Sequence, residues 1–126
     1  MLDHSPLSRV YGTQAEIEQY QFVVRAGVGL IASPAANVAR VMGIAMESRT
    51  VTSGVTKDVT VALPGELYSV KTSEAVLAGD GLKTDANGHA MRANATGDNV
   101  VAIALEDAEL GAIVPCRTAV SGHTAA

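Results

Sequence analysis

Two short stretches of this chain, almost sixty positions apart, have nearly the same sequence. Residues 41–47 are VMGIAME and residues 100–106 are VVAIALE. The identical pairs are Val41 with Val100, Ile44 with Ile103, Ala45 with Ala104 and Glu47 with Glu106. A strand-like segment that occurs twice predicts an internal duplication, which restricts the fold to two related halves.

A second pair of segments supports the duplication. Residues 26–30 are AGVGL and residues 78–82 are AGDGL, and both are followed by an arginine fourteen residues after the first alanine, at Arg40 and Arg92. Residues 93–99 then precede the repeated strand, and they have the composition of an exposed loop. One inserted loop would therefore account for the offset between the two copies.

Large and small residues alternate along the repeated strand in both copies. A strand that is apolar on both faces is covered on both. We expect the large face to fill the domain's own core. The small face should let another backbone approach closely, either from within the chain or from a neighbouring subunit. The small-face residues are Gly43, Ala45, Ala102 and Ala104. With the acidic loop that contains Glu106, Asp107 and Glu109, they form the predicted subunit interface.

Short apolar runs separated by turn residues predict an all-β fold, built as a small barrel or sandwich. Turn signals occur at Ser53-Gly54, Pro64-Gly65, Asn87-Gly88 and Gly97-Asp98. The predicted strands are residues 21–25, 30–32, 38–47, 58–63, 67–72, 81–84, 89–92, 100–105 and 112–118. Residues 1–20 are polar and irregular, and they predict an N-terminal arm outside the core. The β domain would then span residues 21–120, followed by a frayed tail at 121–126.

At 126 residues the chain is expected to form one domain with a thin core. It has no tryptophan, one phenylalanine (Phe22) and three tyrosines. Aromatic side chains normally supply much of a core's buried area. Contacts in a homo-oligomer are therefore an expected source of additional stability.

Several partner classes are disfavoured by charge and composition. The formal net charge is −4 and the basic residues are scattered singly, so we expect no nucleic-acid binding. No apolar run is long enough to span a membrane, and Met1-Leu2-Asp3-His4 does not begin a signal peptide. Cys116 has no cysteine partner in the chain and is expected to be a small buried hydrophobe. We expect synthesis in a cytosol.

Motifs that carry chemistry are incomplete. Residues 79–81 contain Gly-x-Gly, but the third glycine and following helix of a dinucleotide site are missing. Residues 85–88 begin like a calcium loop, yet Asn-Gly is a stronger hairpin signal. Glu106, Asp107 and Glu109 have no nearby histidine, and they are expected in a solvated loop. We therefore predict no cofactor, metal or catalytic residues and no enzymatic activity, although the pattern leaves open a site assembled from several loops.

The order of motifs resembles the bacteriophage capsid cement proteins, also called head decoration proteins. The resemblance covers roughly residues 23–118. It depends on the strand VMGIAMES, on TVALPGELYSVK at 60–71, on VLAGDGLKTD at 76–85 and on the closing segment VVAIALEDAELGAIVPCRT at 100–118.

What the resemblance implies is a β-tulip or β-clip unit, similar to the lambdoid head decoration proteins. Such proteins sit on the outside of the head, usually as trimers, and clamp neighbouring subunits of the major capsid protein. The expected location is therefore the outer capsid surface of a virion, and the expected partners are the major capsid protein and further copies of this chain, as a trimer or a dimer. The apolar residues of the predicted arm are the candidate capsid contacts: Leu7, Val10, Tyr11, Ile17 and Tyr20.

Two other classes of function are compatible with the sequence. One is a different structural or adhesive phage module, such as a fibre base or a host-surface binder. The other is a β-clip enzyme or small-ligand-binding protein, although the acidic and glycine-rich motifs of the trimeric nucleotide hydrolases are not recognisable here.

Overall fold

The computed structural model describes residues 7–51 and 55–124, with side chains up to residue 119, and its regular elements in these ranges are all β-strands. The prediction of an all-β fold built as a small barrel is confirmed. The strands are β1 (Ser8–Thr13), β2 (Phe22–Gly27), β3 (Leu30–Ala32), β4 (Gly43–Ala45), β5 (Lys57–Ala62), β6 (Leu67–Lys71), β7 (Gly81–Thr84), β8 (Ala90–Arg92), β9 (Asn99–Ala104) and β10 (Ile113–Thr124).

The first five strands close into a barrel in the order β1-β3-β2-β4-β5. β1 runs parallel to β3 and antiparallel to β5, and these two pairings complete the ring. Each of the five strands therefore has a neighbouring strand on both sides. We refer to β1–β5 as the first repeat.

The last five strands, β6–β10, form the second repeat with the equivalent order β6-β10-β9-β7-β8. Here the ring is closed by a single parallel bridge between Thr72 and Ala90, next to a hydrogen bond from the amide of Ser73 to the carbonyl of Ala90 at 2.9 Å. The second barrel is therefore more open between β6 and β8 than the first barrel is between β1 and β3.

The two repeats have the same strand registers. Phe22 pairs with Ile44 as Gly81 pairs with Ile103, and every residue of the second pair lies 59 positions after its counterpart. The parallel contact of Thr13 with Ile31 recurs as Thr72 with Ala90. The isolated bridge Ile17–Arg49 recurs as Val76–Ala108. The duplication predicted from residues 41–47 and 100–106 therefore extends over both barrels.

Turn chemistry is repeated together with the strands. The amide of Glu18 donates to Oε1 of Gln21, and 59 positions later the amide of Leu77 donates to Oδ2 of Asp80, both at 2.8 Å. In the same way the amide of Gln19 is bound by Ser48 and that of Ala78 by Asp107. The side chains differ, but each supplies an oxygen acceptor at the same place.

Two cores correspond to the two barrels. The first contains Ile17, Val23, Ile31, Ala45, Val59 and Val61, with Tyr11 and Met42 packed against it. The second contains their structural equivalents Val76, Leu82, Ala90, Ala104, Val114 and Cys116. It also includes residues of the first repeat, among them Phe22, Val41 and Ile44. Part of the outer face of the first barrel is therefore buried against the second.

The second sequence match was wrong. Residues 78–82 are structurally equivalent to residues 19–23, not to residues 26–30, because Ala78 and Asp80 take the turn positions of Gln19 and Gln21. No loop inserted at 93–99 is needed to align the repeats. The difference in length lies instead between β4 and β5, since Val61 pairs with Ala45 and Cys116 with Ala104. Glycine-rich turns occur at several places in each repeat, so two of them can match without being equivalent.

The predicted arm was also wrong for the described residues. Residues 8–13 form β1, which pairs with β5 over its whole length. Ile17 is 1% exposed and belongs to the first core. β1 shows weak alternation because Ser8, Arg9 and Val10 are all exposed. Its place in the barrel depends on backbone pairing more than on its own apolar pattern.

Two strand boundaries also differ from the prediction. The predicted strand 38–47 is reduced to β4, since residues 35–38 turn towards the second repeat. The predicted tail was wrong up to residue 124, because β10 continues to Thr124 and pairs there with Asn99. The predicted turn at Ser53-Gly54 and residues 125–126 lie outside the described residues.

Burial of Ile17 gives the first test of this fold. Replacement of Ile17 by Ala should lower the free energy of unfolding by about 2–5 kcal/mol, because it leaves a cavity in the first core. The exposed control Val10→Ala, in β1, should change it by less than about 0.5 kcal/mol. Urea denaturation followed by circular dichroism measures both. Equal, small effects would mean that residues 8–20 are an arm after all.

Candidate interaction surfaces

The described residues contain neither a pocket nor a group of three or more histidine, cysteine, aspartate or glutamate side chains arranged to hold a metal ion. Within the same ranges, no helix is long and apolar enough to cross a membrane. The candidate functional features are therefore surfaces, and the junction between the repeats shows how such a surface is built.

The centre of the junction is the segment 20–22, which enters the open side of the second barrel. The amide of Phe22 donates to the carbonyl of Gly88 at 2.8 Å, and the amide of Lys71 donates to the carbonyl of Tyr20 at 2.9 Å. In the first barrel the equivalent groups of Gly12 and Gly29 bond directly to each other at 2.8 Å. The inserted segment therefore replaces one barrel hydrogen bond by two bonds between repeats.

Side chains around this segment are closely packed. Phe22 and Ile44 are 0% and 1% exposed, although they lie on the outer face of the first barrel. Tyr20 stacks on Tyr68 with ring centroids 5.7 Å apart. It does so with a φ of 69°, a left-handed conformation that is costly for a residue with a side chain. The stacking and the backbone bonds hold Tyr20 in this conformation.

A second contact is made by the loop 35–38. The amide of Asn37 donates to the carbonyl of Thr84 at 2.8 Å, and the hydroxyl of Thr84 donates to the carbonyl of Ala35 at 2.9 Å. The side-chain oxygen of Asn37 accepts from the amide of Asn99 at 2.7 Å. At the rim, Glu18 and His89 approach to 3.6 Å. We call the first-repeat side of the junction (20–22, 35–38 and Ile44) the inserting face and the second-repeat side (Tyr68, Lys71, Thr84, Gly88 and Asn99) the receiving face.

Asp98 supports the receiving face. Its carboxylate accepts the amide of Ala95 at 3.0 Å and forms a salt bridge with Lys83, also at 3.0 Å. These two interactions, the hydrogen bond from Ala95 first, hold the pKa of Asp98 below its ordinary value. The ionised carboxylate thereby fixes the turn that precedes Asn99.

Two further titratable groups are perturbed for structural reasons. Hydrogen bonding from Thr60, together with the neighbouring Arg49, lowers the pKa of Glu47. Burial raises the pKa of Cys116 to about 12, so its thiol stays protonated and unreactive at neutral pH. This placement agrees with the predicted role of Cys116 as a small residue of the core.

The predicted capsid-contact residues are separated by the structure. Leu7 and Val10 are 66% and 58% exposed and remain candidates. Ile17 is in the first core, Tyr11 packs against that core, and Tyr20 stacks at the junction. The last three therefore stabilise the chain itself.

The predicted subunit interface is divided in the same way. Its four small residues are buried inside the barrels, so they cannot reach a second subunit: Gly43, Ala45, Ala102 and Ala104. A five-stranded barrel has a narrow interior, and the small face turns inward because large side chains would not fit. At Gly43 (φ 147°) an added Cβ would lie 1.9 Å from the carbonyl oxygen of Ala62. Glu106, Asp107 and Glu109 are exposed, and for them the interface stays a prediction.

Sequence reasoning missed the junction residues. Asn37 and Gly88 had no signal of their own beyond turn propensity. Phe22 did carry one, because the only phenylalanine of an aromatic-poor chain is expected to be central to packing. The residue of the second repeat that is equivalent to Phe22 is Gly81. A comparison of the correctly aligned repeats would therefore have shown a large side chain in one repeat and none in the other.

Comparisons with known proteins identify the architecture. No protein-family model and no curated protein matches this chain. Among solved structures, the chain is similar to the head fibre gp8.5 N base of bacteriophage phi29, with a TM-score of 0.70 and 19% sequence identity. The match covers 94% of this chain and 98% of the other. At this identity the likeness establishes a shared fold across nearly the whole of both chains.

The packing of Gly88 gives a matched pair of substitutions. Gly88 and Gly29 are equivalent and both have positive φ. A Cβ added at Gly88 would lie 2.8 Å from the side chain of Gln21, whereas a Cβ added at Gly29 would have no atom within 4 Å. Asparagine tolerates this backbone conformation. Gly88→Asn should lower the free energy of unfolding by about 1–3 kcal/mol through overpacking, and Gly29→Asn by less than about 0.5 kcal/mol. Chemical denaturation, at a protein concentration low enough for the chain to be monomeric, measures both. Equal losses would contradict the asymmetric junction.

The lowered pKa of Asp98 predicts a pH-dependent contribution to stability. Stability from a carboxylate with a depressed pKa is present above its unfolded pKa and is lost as pH falls through the folded pKa. Asp98→Asn should therefore lower the melting temperature at pH 7. The difference in melting temperature from wild type should become smaller once the pH falls below 3.8, the ordinary pKa of aspartate. Thermal unfolding between pH 2 and 7 measures this. Asp58→Asn is the exposed control, and a pH-independent loss at Asp98 would refute the assignment.

Proposed function

We propose that this chain is a structural protein of a phage virion that binds the outer surface of the head. The observation that carries the proposal is the likeness, over nearly all of both chains, to a protein described as the N base of a phage head fibre. The resemblance of the sequence to head decoration proteins supports the same class independently of the fold.

The physical properties of the body fit this role. Two barrels joined by inserted backbone and buried side chains make a rigid unit, and rigid surfaces lose little conformational freedom on binding. The protein acts by binding, without cofactor, metal or catalysis. Several weak contacts to a repeating lattice add up through effective concentration when the copies are linked. A protein that binds only the assembled shell stabilises it by mass action.

Within this class we propose a decoration protein that clamps neighbouring subunits of the major capsid protein. Leu7 and Val10 are our candidates for the capsid contact, since both are large, apolar and exposed at the start of β1. Deletion of residues 1–20 cannot test this, because it would remove β1 and Ile17 from the first barrel. Substitution of the two exposed side chains is the appropriate change.

A second candidate is the base of a head fibre, favoured by the likeness to the N base of the phi29 head fibre. The two candidates differ in what they do to the shell and in what they carry. A decoration protein raises the resistance of the head to rupture and carries no further protein on its outer side. A fibre base carries further protein outward and need not change the stability of the shell.

The test uses heads of the phage that encodes this chain, prepared without it. Purified protein should cosediment with these heads, and the variant Leu7→Asp/Val10→Asp should bind at least about tenfold more weakly, as expected when apolar anchors become charged. Leu110→Asp, at an exposed apolar residue of the second repeat, is the control and should bind normally. Circular dichroism checks that all variants are folded.

The outcomes separate the candidates. A higher temperature of DNA release from decorated heads supports clamping. An unchanged release temperature, with density extending outward from the bound protein in electron micrographs, favours the fibre base. Absence of binding to the head overturns the proposal, and undiminished binding of Leu7→Asp/Val10→Asp removes these two residues from the contact.

A further inference from the structure

The contact between the two repeats is one-sided. The inserting face belongs to the first repeat and the receiving face to the second. In a contact with twofold symmetry each repeat would contribute both faces. Because the repeats have the same fold, the second repeat has its own inserting face and the first repeat has its own receiving face. Both are present in the chain, and the junction uses neither.

Residues of the unused inserting face are accessible. Ile103, the equivalent of buried Ile44, is 40% exposed. Leu77, the equivalent of Glu18, is 59% exposed. Residues 94–96, which correspond to the loop 35–37, are exposed throughout. Ile103 and Leu77 are two of the nine large apolar side chains that are exposed among the described residues, and both lie at positions of the inserting face.

The unused receiving face of the first repeat is exposed at Gly29, although the bond between Gly12 and Gly29 closes the barrel beneath it. Gly29 has no atom within 4 Å of an added Cβ, whereas its equivalent Gly88 is packed against Gln21 and Phe22. Three exposed arginines, Arg9, Arg25 and Arg40, surround this face. They are the first-repeat equivalents of Tyr68, Thr84 and Asn99. The arginine side chains have no hydrogen-bond or ion-pair partner among the described residues.

The two unused faces are complementary in chemistry. At the junction Glu18 faces His89. The equivalent positions on the unused faces are Leu77 and Leu30, so a polar pair is replaced by an apolar pair. Asp80 takes the place of Gln21 on the inserting side, and the arginines lie on the receiving side. Opposite charges and matched apolar residues favour pairing of these faces with each other over pairing of either face with itself.

We infer that a second copy of this chain occupies these faces, so that the second repeat of one copy docks on the first repeat of the next by the contact already seen within the chain. In this contact the carbonyl of Gly79 takes the place of the carbonyl of Tyr20, and the amide of Gly81 takes the place of the amide of Phe22. The bond between Gly12 and Gly29 is exchanged for two bonds to the neighbouring copy. Such a head-to-tail contact forms a ring if its rotation closes, and a filament otherwise.

The test uses the purified chain and two variants, each altered in one face. Leu77→Lys/Ile103→Lys changes the inserting face of the second repeat, and Arg25→Glu/Gly29→Asn changes the receiving face of the first. Leu110→Lys, at a residue that is 73% exposed outside both faces, is the control. Analytical ultracentrifugation over a range of concentrations gives the assembly state of each protein.

Wild type and the control should form the same oligomer. Each face variant should be monomeric, with a dissociation constant raised by more than about tenfold. An equimolar mixture of the two variants should form heterodimers and nothing larger, because each retains the one face that the other lacks. A monomeric wild type, an unaffected face variant, or variants that stay monomeric when mixed would overturn the inference. The experiment contains no capsid, so its result is independent of head binding.

Discussion

The insertion of residues 20–22 into the second barrel is the interaction on which the arrangement of this protein depends. It provides two backbone bonds between the repeats and buries Phe22 in the second core. It also keeps β6 and β8 apart, so that the second ring closes through a single bridge while the first closes through β1 and β3. The two repeats therefore share one fold and differ in how their rings close, because the first repeat enters the second.

This asymmetry explains the distribution of apolar residues. Equivalent positions on the two barrels are buried in one repeat and exposed in the other, as Ile44 and Ile103 are. A chain with few aromatic side chains places its only phenylalanine at the junction, where packing has to hold two barrels together. No pocket is found among the described residues.

Particular residues show where sequence reasoning succeeded. The repeated strand around Ile44 and Ile103 identified the duplication because the barrel interior accepts only small residues beside it, which keeps Ala45 and Ala104 unchanged. Short runs bounded by Asn87-Gly88 and Gly97-Asp98 predicted strands β7 to β9 closely, since positive φ at those glycines is a local requirement. Reasoning failed at β1, whose pairing with β5 is a long-range contact, and at residues 26–30, where a glycine turn resembled a different one.

The all-β class, the existence of two related halves and most of the turns could be predicted from the amino-acid sequence, because these follow from local periodicity and from backbone conformations that few residues adopt. Three features became visible only in the folded chain: which face of the repeated strand points inward, that residues 8–17 belong to the first barrel, and that the halves meet by one-sided insertion. These features depend on the limited volume inside a closed barrel and on contacts between residues far apart in the chain, which no local pattern encodes.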